Sequence, residues 1–356
     1  MTPALLTAIA TLLALAAGSV PGPRRVVLFV ADGAGVAHWS AALYSADSLA
    51  VRAFPVLGLL DPRNTSRPLP ESASSATAFA TGVRTFYSAV GVGPDSQPRL
   101  TVLEAAEARG LATGLVTTTL LTDATPAAFA AHVPDRSQGF DIARQITGAG
   151  IEVLLGDGRA AFDPTGRPDS LNLIEELQRN HVWVETPAEL AGAAGADSVR
   201  ALAGFFAIDR EFDTARRRPS LAEMTAAALL VLDRDPDGFF LMVESEHIDH
   251  FGHQNLPLGP VVAEVLELDR AIRVALEYRS RNPDTLIVVV GDHDTGGLDL
   301  SPDSTGALAA SWGTTRHTAE MVPIFALGPG AEEFGGVRTG AEIGRALHRA
   351  VGGEGD

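Results

Sequence analysis

Potential metal ligands are densest between Glu244 and His253, where the sequence reads ESEHIDHFGH. Three of the chain's nine histidines fall within seven residues of this segment. Asp249 and His253 are four residues apart, so on a helical turn both side chains face the same way. The pair could hold one cation while Glu244 reaches toward another. The alternative is a solvated acidic loop, which the concentration of histidine disfavours.

Further carboxylates and imidazoles stand beside other apolar runs. Asp32 follows one run and is itself followed by glycine, Asp292 and His293 follow a second, and His317 precedes a third. Taken singly, Asp32 fits a plain turn and His317 fits an ordinary surface or core histidine. The carboxyl ends of strands converge in an open α/β sheet, so together these residues could hold more than one ion. The chain has no cysteine, so thiolate ligands, thiolate catalysis and disulfides are excluded.

Ser72 is the candidate nucleophile. It lies in the segment PESASSATA, which precedes a predicted helix that runs through Thr81. Free backbone N–H groups and the helix dipole favour an oxyanion or phosphate at such a position. The alternative is a serine that only caps the helix. Because no G-x-S-x-G elbow surrounds Ser72, its hydroxyl would need a metal ion for activation.

A further polar cluster lies between residues 123 and 136. Asp123 and Thr125 offer hard oxygen donors of the kind that Mg²⁺ prefers. Arg136 offers a planar fork that matches two phosphate oxygens. Each of these residues, taken alone, is as well explained by a turn or by the surface.

The elements that would position these residues alternate between strands and helices. Continuous apolar runs predict strands buried on both faces: Val26–Val30, Leu111–Thr117, Ile151–Leu155, Phe239–Val243, Leu286–Val290 and Val322–Leu327. Amphipathic runs predict helices between them: Val102–Arg109, Phe140–Ala149, Leu171–Asn180, Leu221–Leu232 and Val261–Tyr278. This order predicts a doubly wound α/β fold with a mostly parallel central sheet flanked by helices. We expect one catalytic domain over residues 24–350, with an insertion beside the sheet around 156–219 that contains the basic cluster Arg216–Arg218.

Composition and the N-terminus narrow the function further. The formal charge of −17 disfavours a nucleic-acid-binding surface, and an acidic protein that binds an anion must concentrate positive charge locally, as bound metal ions do. The apolar run Ala4–Ala17 is short and is closed by small residues, which is typical of an export signal. We therefore expect a signal peptide over residues 1–19, no membrane span after its removal, and a periplasmic or secreted protein. The alternative for this run is a buried first helix.

In identity, order and spacing, these motifs resemble those of the alkaline phosphatase family, over about Val26 to Gly328. The family's strand-end D-G-x-G is matched at Asp32. Its nucleophile motif D-S-A-A-S-A-T-A is matched around Ser72, with Thr81-Gly82 behind it. The D-A-T-P-A-A segment starts at Asp123, and the H-V-x-x-R continuation ends at Arg136. The remaining matches are the E-x(4)-D-x(3)-H run of Glu244, Asp249 and His253, the pair Asp292-His293 and the pair His317-Thr318.

The resemblance implies two zinc ions and one magnesium ion per chain. The first zinc would be held by Asp249, His253 and His317. The second would be held by Asp32, Asp292 and His293, with Ser72 facing it. The magnesium would use Asp32, Thr125 and Glu244, and Arg136 would clamp the phosphate. Small phosphate monoesters as substrates, a phosphoserine intermediate and a homodimer are implied in the same way.

Two positions depart from the family pattern. Glu71 replaces the usual Asp before the nucleophile, a residue that commonly steadies the clamp arginine. His250 occupies a position that varies in the family, where it is expected to face Asp123 and to tune the binding of phosphate and the third ion. The identity of the third ion is therefore the least determined.

Other functions on the same fold fit the sequence less well. A sulfatase would need C/S-x-P-x-R, which is absent around Ser72, and a cofactor-independent mutase would need a large inserted domain. Diesterases often use Thr as nucleophile and lack a clamp arginine, so Arg136 favours monoesters. A non-catalytic phosphate or metal scavenger stays open as the alternative from another class.

Overall fold

A computed structural model describes residues 22–353, so the predicted signal peptide at residues 1–19 lies outside the described residues. The strands, in chain order, are β1 (Arg25–Ala31), β2 (Val56–Asp61), β3 (Ala112–Leu120), β4 (Val153–Asp157), β5 (Val182–Val184), β6 (Leu202–Phe205), β7 (Phe239–Ser245), β8 (Thr285–Val290), β9 (Leu298–Pro302), β10 (Leu308–Trp312), β11 (Val322–Leu327) and β12 (Gly336–Thr339). Ten of them form a single sheet, and β9 and β10 form a separate antiparallel pair.

The α-helices of the described residues are α1 (Val36–Ser45), α2 (Ser72–Thr81), α3 (Val102–Glu107), α4 (Ala124–Ala130), α5 (Gly139–Gly148), α6 (Arg159–Phe162), α7 (Leu173–Asn180), α8 (Pro187–Gly195), α9 (Leu221–Leu232), α10 (His247–His253), α11 (Leu258–Arg281) and α12 (Gly340–Ala350). Four of them begin with a capping box, in which a Ser or Thr and the Glu three residues later satisfy each other's backbone N–H groups: Thr101–Glu104, Thr186–Glu189, Ser220–Glu223 and Thr339–Glu342. Within the described part of the chain, no helix is long and apolar enough to cross a membrane.

The large sheet has the strand order β12-β2-β11-β8-β1-β7-β3-β4-β6-β5. Only β11 runs antiparallel to its neighbours, β2 and β8, and every other pairing in the sheet is parallel. The predicted fold class, a mostly parallel sheet flanked by helices, is therefore confirmed.

Two hydrophobic cores cover the two faces of the sheet. Successive side chains of a strand point to opposite faces, and in β1 Val26, Leu28 and Val30 join one core while Val27, Phe29 and Ala31 join the other. The first core includes residues of α2 to α5 and α12, and the second includes residues of α1, α9 and α11. Burial on both faces explains why the central strands are apolar without alternation.

The segment 156–219 differs from its prediction. It does not lie beside the sheet, since β5 and β6 extend the sheet beyond β4 as its edge. These strands have only three and four residues, too few to give a periodic signal. The basic cluster in this segment is also divided: Arg217 is buried, whereas Arg216 is exposed.

Candidate active site

The candidate site lies at the carboxyl edge of three neighbouring strands. β1 pairs with β7 on one side and with β8 on the other, in parallel register. Asp32 directly follows β1, Glu244 lies at the end of β7, and Asp292 comes two residues after β8. Residues more than two hundred positions apart in the chain therefore meet at one edge, as the converging strand ends predict.

The antiparallel strand β11 brings His317 to the same edge. Because β11 runs opposite to β8, the chain enters it at the carboxyl end of the parallel strands. His317 precedes that entry and forms an isolated bridge with Thr295, which lies beyond β8. The antiparallel direction of β11 therefore places the His317 imidazole at the carboxyl edge of the sheet.

Gly33 permits close contact between the turn after β1 and helix α10. Its φ is +74°, a left-handed conformation that favours glycine, and a Cβ atom there would lie 2.6 Å from Asp249 Cα. Any side chain at position 33 would therefore separate Asp32 from Asp249.

Hydrogen bonds to the backbone orient His253 and His317. Their Nδ1 atoms lie 2.8 Å from the Thr315 carbonyl and 2.9 Å from the Pro70 carbonyl, so Nδ1 is the protonated nitrogen in both rings. Their Nε2 atoms then point into the site, 3.1 Å from each other and within 3.5 Å of Asp249 carboxylate oxygens. Two facing imidazole nitrogens beside a carboxylate are an arrangement that a bound cation satisfies in place of a proton.

His293 is oriented by a side-chain relay. Its Nδ1 lies 3.2 Å from Thr295 Oγ1, and Thr295 donates its hydroxyl hydrogen to Asp249. His293 Nδ1 is therefore the donor, and its Nε2 lone pair faces Asp292 Oδ2 at 3.1 Å and Asp32 Oδ1 at 3.6 Å. Thr295 thereby connects the two predicted zinc positions.

Three groups of side chains have ligand atoms that all lie within 4.8 Å of one another. One comprises Asp249, His293 and His317, the second Asp32, Asp292 and His293, and the third Asp32, Glu244 and Glu246. The second group coincides with the predicted second zinc position. The first shares Asp249 and His317 with the first predicted position, and His253 stands beside both of these residues.

Several buried oxygen atoms of the site lack a hydrogen-bond partner among the described residues. These unpartnered atoms are both carboxylate oxygens of Asp32, Glu244 Oε1, Asp292 Oδ2 and the Thr125 hydroxyl. Buried polar atoms are normally satisfied, since an unmet one costs free energy. Oxygen donors around Glu244 suit a hard cation such as Mg²⁺, and the mixed imidazole and carboxylate groups suit Zn²⁺. The residues present thus fit a metal centre.

The carboxyl groups of the site have shifted pKa values. Burial raises the pKa of Asp292 to about 8 and that of Glu244 to about 7, although a hydrogen bond from Thr117 opposes the rise in Glu244. Burial, and then the charge of Asp292, raise the pKa of Asp32 well above its usual range. So many ionised carboxylates repel one another when no cation lies between them, and bound cations reverse this effect.

Asp249 behaves in the opposite way. Although burial favours its neutral form, the hydrogen bond with His253 and the neighbouring imidazoles lower its pKa. The same hydrogen bond raises the pKa of His253 to about 9, whereas burial lowers the pKa of His293 and of His317. Asp249 is thus the ionised centre of the imidazole group.

Ser72 is the first residue of α2, and the residue that caps this helix is Glu71. The Glu71 carboxylate accepts hydrogen bonds from the backbone N–H groups of Ala73, at 2.9 Å, and Ser74, at 2.6 Å. The interpretation of Ser72 as a simple cap is therefore wrong. The expectation that several N–H groups at this helix start are free for phosphate is also corrected, because Glu71 occupies those two.

The Ser72 hydroxyl faces the second group of ligands. Its Oγ lies 3.3 Å from His293 Nε2 and is buried together with that ring. Ser72 stands at the positive end of the α2 dipole, which favours negative charge on Oγ.

Arg136 is held by two carboxylates. It donates a hydrogen bond to Asp123, and its Nη1 lies 3.5 Å from Glu71 Oε2. Although burial opposes its charged form, Asp123 and Glu71 raise its pKa. One third of its side chain stays exposed, so the guanidinium is available to an anion in the site.

These groups line one cleft of about 690 Å³. Its lining includes Ser72, Arg136, Asp249, His253, His317 and Glu246, and also Arg67, Tyr87 and Arg316. His250, which was expected to face Asp123, lines the cleft with its Nε2 3.2 Å from Glu246 Oε1.

The sequence prediction missed Glu246 and the threonines that support the ligands. Thr117 donates to Glu244 Oε2 at 2.5 Å, and Thr295 donates to Asp249. Glu244 and Glu246 are two apart, but the chain leaves β7 at Ser245 and Glu246 takes a helical conformation before α10. This turn cannot be read from spacing. The acidic pair at a strand end was the available signal.

Comparison with known proteins agrees with this geometry. A family model described as alkaline phosphatase matches residues 23–311. Alkaline phosphatase 3 of Bacillus subtilis is 33% identical over 81% of this chain and 68% of its own length. Streptomycin-6-phosphate phosphatase of Streptomyces griseus is 33% identical over 94% of this chain and 92% of its own.

Among solved structures, the alkaline phosphatase of the Antarctic bacterium TAB5 is 31% identical. It superposes with a TM-score of 0.85 over 93% of this chain and 99% of its own. A variant of the same enzyme, solved with Mg bound in a site called M3, gives a TM-score of 0.83 at 30% identity over 93% of this chain and 98% of its own.

Proposed function

This chain belongs to the alkaline phosphatase family and is a phosphatase, and from that premise we propose that it hydrolyses phosphate monoesters through a covalent phosphoserine on Ser72. The observation that carries the proposal is the position of the Ser72 hydroxyl. It lies at a helix start, free of capping, 3.3 Å from His293 Nε2 beside the buried carboxylates.

We propose two zinc ions and one magnesium ion as cofactors. Asp249, His253 and His317 would hold the first zinc, and Asp32, Asp292 and His293 the second. Asp32, Thr125 and Glu244 would hold the magnesium, in keeping with the magnesium site of the TAB5 variant. When bound, such cations favour the alkoxide form of a serine hydroxyl and stabilise the charge on the entering and leaving oxygens.

The chain's own residues supply position and charge for two displacements. In the first, Ser72 Oγ loses its proton and attacks phosphorus, the bond from phosphorus to the ester oxygen breaks, and the ester oxygen takes up one proton as the alcohol leaves. In the second, water attacks the phosphoserine, the P–Oγ bond breaks, and inorganic phosphate and the serine hydroxyl are restored. The sum is one monoester and one water converted to one alcohol and one phosphate.

Arg136 would bind the non-bridging oxygens, beside the positive end of the α2 dipole. The Arg136 fork matches two phosphate oxygens, and Asp123 keeps it in place through both displacements. The charge on the phosphoryl group is then stabilised by groups that are already oriented and need no solvent reorganisation. A monoester carries more negative charge than a diester, so this cationic clamp favours monoesters.

The test compares two serines of the same helix. Turnover of a chromogenic phosphate monoester is measured for wild type, Ser72→Ala and Ser75→Ala, with the zinc content of each protein determined. Ser75 is buried and its hydroxyl has no partner among the described residues, so it is a matched control. We expect Ser72→Ala to lose at least about a thousandfold in kcat and Ser75→Ala to stay close to wild type.

Three outcomes would contradict the proposal. Full activity in Ser72→Ala would exclude the covalent route. A wild-type protein that binds zinc and phosphate but does not hydrolyse the monoester would be a non-catalytic scavenger. A diester turned over faster than the monoester would make the protein a phosphodiesterase.

We also propose export and a homodimer. Export depends on the apolar run of residues 4–17, outside the described residues, and the dimer depends on family likeness. Export is tested by determining the N-terminal residue of protein recovered outside the cytoplasm. The homodimer is tested by the mass measured by light scattering. A mature chain that begins at Met1, or a monomer at micromolar concentration, would contradict them.

A further inference from the structure

Glu246 is a buried carboxylate of the site that the ligand set above does not use. It directly precedes α10 and is 6% exposed, and its side chain borders the cleft. Its carboxylate oxygen, one of Asp32 and one of Glu244 all lie within 4.8 Å of one another. The family motif that Glu244 and Asp249 match leaves this position unspecified, so the resemblance gives this carboxylate no role.

The three carboxylates form a site with an unmet need for positive charge. Both Asp32 oxygens and Glu244 Oε1 are buried without a hydrogen-bond partner among the described residues, and so is the Thr125 hydroxyl beside them. These orphaned oxygens belong to residues other than Glu246, and two of those residues, Asp32 and Glu244, form the group with it. Bringing three carboxylates together away from water is costly unless a cation is bound.

Pairing with His250 does not account for the position of Glu246. Its Oε1 lies 3.2 Å from His250 Nε2, which is an ordinary i, i+4 contact on a helix. The His250 side chain is 30% exposed, whereas that of Glu246 is 8% exposed. A carboxylate that served only this contact could turn outward with the imidazole instead of facing Asp32 and Glu244.

We propose that Glu246 is a ligand of the third cation, so that the site becomes an all-oxygen site of Asp32, Glu244, Glu246 and Thr125. The inference rests on the third metal position of the proposed function. Three carboxylates and a hydroxyl offer hard donors and no nitrogen, and Mg²⁺ is the cation that such a set prefers over zinc. The added carboxylate increases the affinity for Mg²⁺ by its charge.

The test measures Mg²⁺ binding to the zinc-loaded full chain by isothermal titration calorimetry, in Glu246→Gln and in wild type. Glu246→Gln keeps the shape and removes the charge. We expect it to retain both zinc ions, counted by elemental analysis, and to bind Mg²⁺ about ten- to a hundredfold more weakly. Glu176→Gln, an exposed change on α7, is the matched control and should bind as wild type does. Equal Mg²⁺ affinity in Glu246→Gln and wild type would overturn the proposal.

A second measurement separates a ligand from a residue that merely supports the fold. Without metal, the loss of one carboxylate relieves repulsion, so the melting temperature of Glu246→Gln should equal or exceed that of wild type. Added Mg²⁺ should raise the melting temperature of wild type, and it should raise that of Glu246→Gln much less. A metal-free variant that melts below metal-free wild type would mean that Glu246 is structural. Neither readout involves turnover, so failure of the phosphoserine route would leave this result unaffected.

Discussion

Helix α2 begins with two adjacent residues in different roles: Glu71 is the cap, and Ser72 is the proposed nucleophile. Glu71 caps α2 through its carboxylate, and Ser72 therefore keeps its hydroxyl free. The same carboxylate accepts from the Ser88 N–H at 3.1 Å but lies 3.5 Å from Arg136 Nη1. The hydrogen bond that holds Arg136 is thus made mainly by Asp123. The proposed clamp is thus supported by Asp123 more than by Glu71, which stands where the family motif has Asp.

Replacing Arg136 should weaken the binding of substrate more than it slows chemistry. Arg136→Ala removes two charge-assisted hydrogen bonds to phosphate, so we expect KM to rise at least about tenfold. Arg136→Lys should recover part of this loss, because it keeps the charge without the fork. Initial rates against monoester concentration measure the effect, and the exposed Arg144→Ala serves as control. An unchanged KM in Arg136→Ala would show that Arg136 does not touch the phosphoryl group.

At the scale of elements, a buried ion pair attaches the 206–220 segment to α11. Arg217 Nη1 lies 2.8 Å from Glu264 Oε1 on α11, and both side chains are at most 1% exposed. Glu264 also accepts from Thr214 at 2.9 Å and from Ser245 at 3.3 Å. Since Ser245 lies between Glu244 and Glu246, the pair fixes the segment and the strand end together.

Arg217→Ala should lower the free energy of unfolding by about 3 to 5 kcal/mol, because it leaves Glu264 buried without its charged partner. Arg216→Ala, at the exposed neighbouring position, should change it by less than about 0.5 kcal/mol. Chemical denaturation monitored by circular dichroism measures both. Equal effects of the two substitutions would mean that the buried pair does not hold the segment.

A half-buried carboxylate away from the candidate site should make stability depend on pH. Glu107 ends α3 and accepts a hydrogen bond from Thr113. Burial raises the pKa of Glu107 to about 7, and the charges of Glu152 and Asp235 add to the rise. The folded state therefore keeps a proton that the unfolded chain loses near pH 4.5. The stability due to this proton is complete below that pH and is lost as pH rises to about 7.

Glu107→Gln should accordingly leave the free energy of unfolding nearly unchanged at acidic pH and raise it at alkaline pH. We expect a gain of about 1 to 2 kcal/mol, since Glu107 is only half-buried and water screens part of the full effect. Denaturant titrations below and above the window give the two values, with Glu176→Gln as the exposed control. A gain of the same size at both pH values would show that the carboxylate does not titrate in this range.

Much of the sheet could be predicted because central strands are buried on both faces. The run Val322–Leu327 coincides with β11, and Leu221–Leu232 with α9. Edge strands such as β5 are too short to show a pattern. The residues that directly follow parallel strands could be predicted to lie at one edge of the sheet. The turn that brings Glu246 toward Asp32 could not, because it depends on the local backbone conformation. The relay through Thr295 likewise depends on tertiary contacts that no spacing reveals.

On the scale of the whole molecule, a chain of net charge −17 concentrates buried carboxylates where it would bind an anion. Burial, and after it the charges of neighbouring carboxylates, raise the pKa values of Asp32, Glu244 and Asp292. Metal ions would therefore stabilise the fold and also provide the positive charge for substrate.

Removal of metal should lower the melting temperature and abolish turnover together. A ligand present at about a hundred times its Kd stabilises the folded state by about 2.7 kcal/mol, so chelation should cost at least this much for each tightly bound ion. Differential scanning calorimetry before and after chelation measures the change. Zinc with magnesium should restore both stability and activity, and recovery by calcium alone would contradict the zinc assignment.

The central claim, that the phosphoryl group passes through Ser72, is tested most directly by trapping the intermediate. The metal-loaded enzyme is mixed with a phosphate monoester, quenched in acid within the first turnovers, digested and examined by mass spectrometry. The account predicts one added phosphoryl group on the peptide that contains Ser72, assigned by fragmentation to that residue and absent from Ser72→Ala. An active enzyme whose Ser72 peptide never carries phosphate, or whose phosphate lies on another residue, would contradict it.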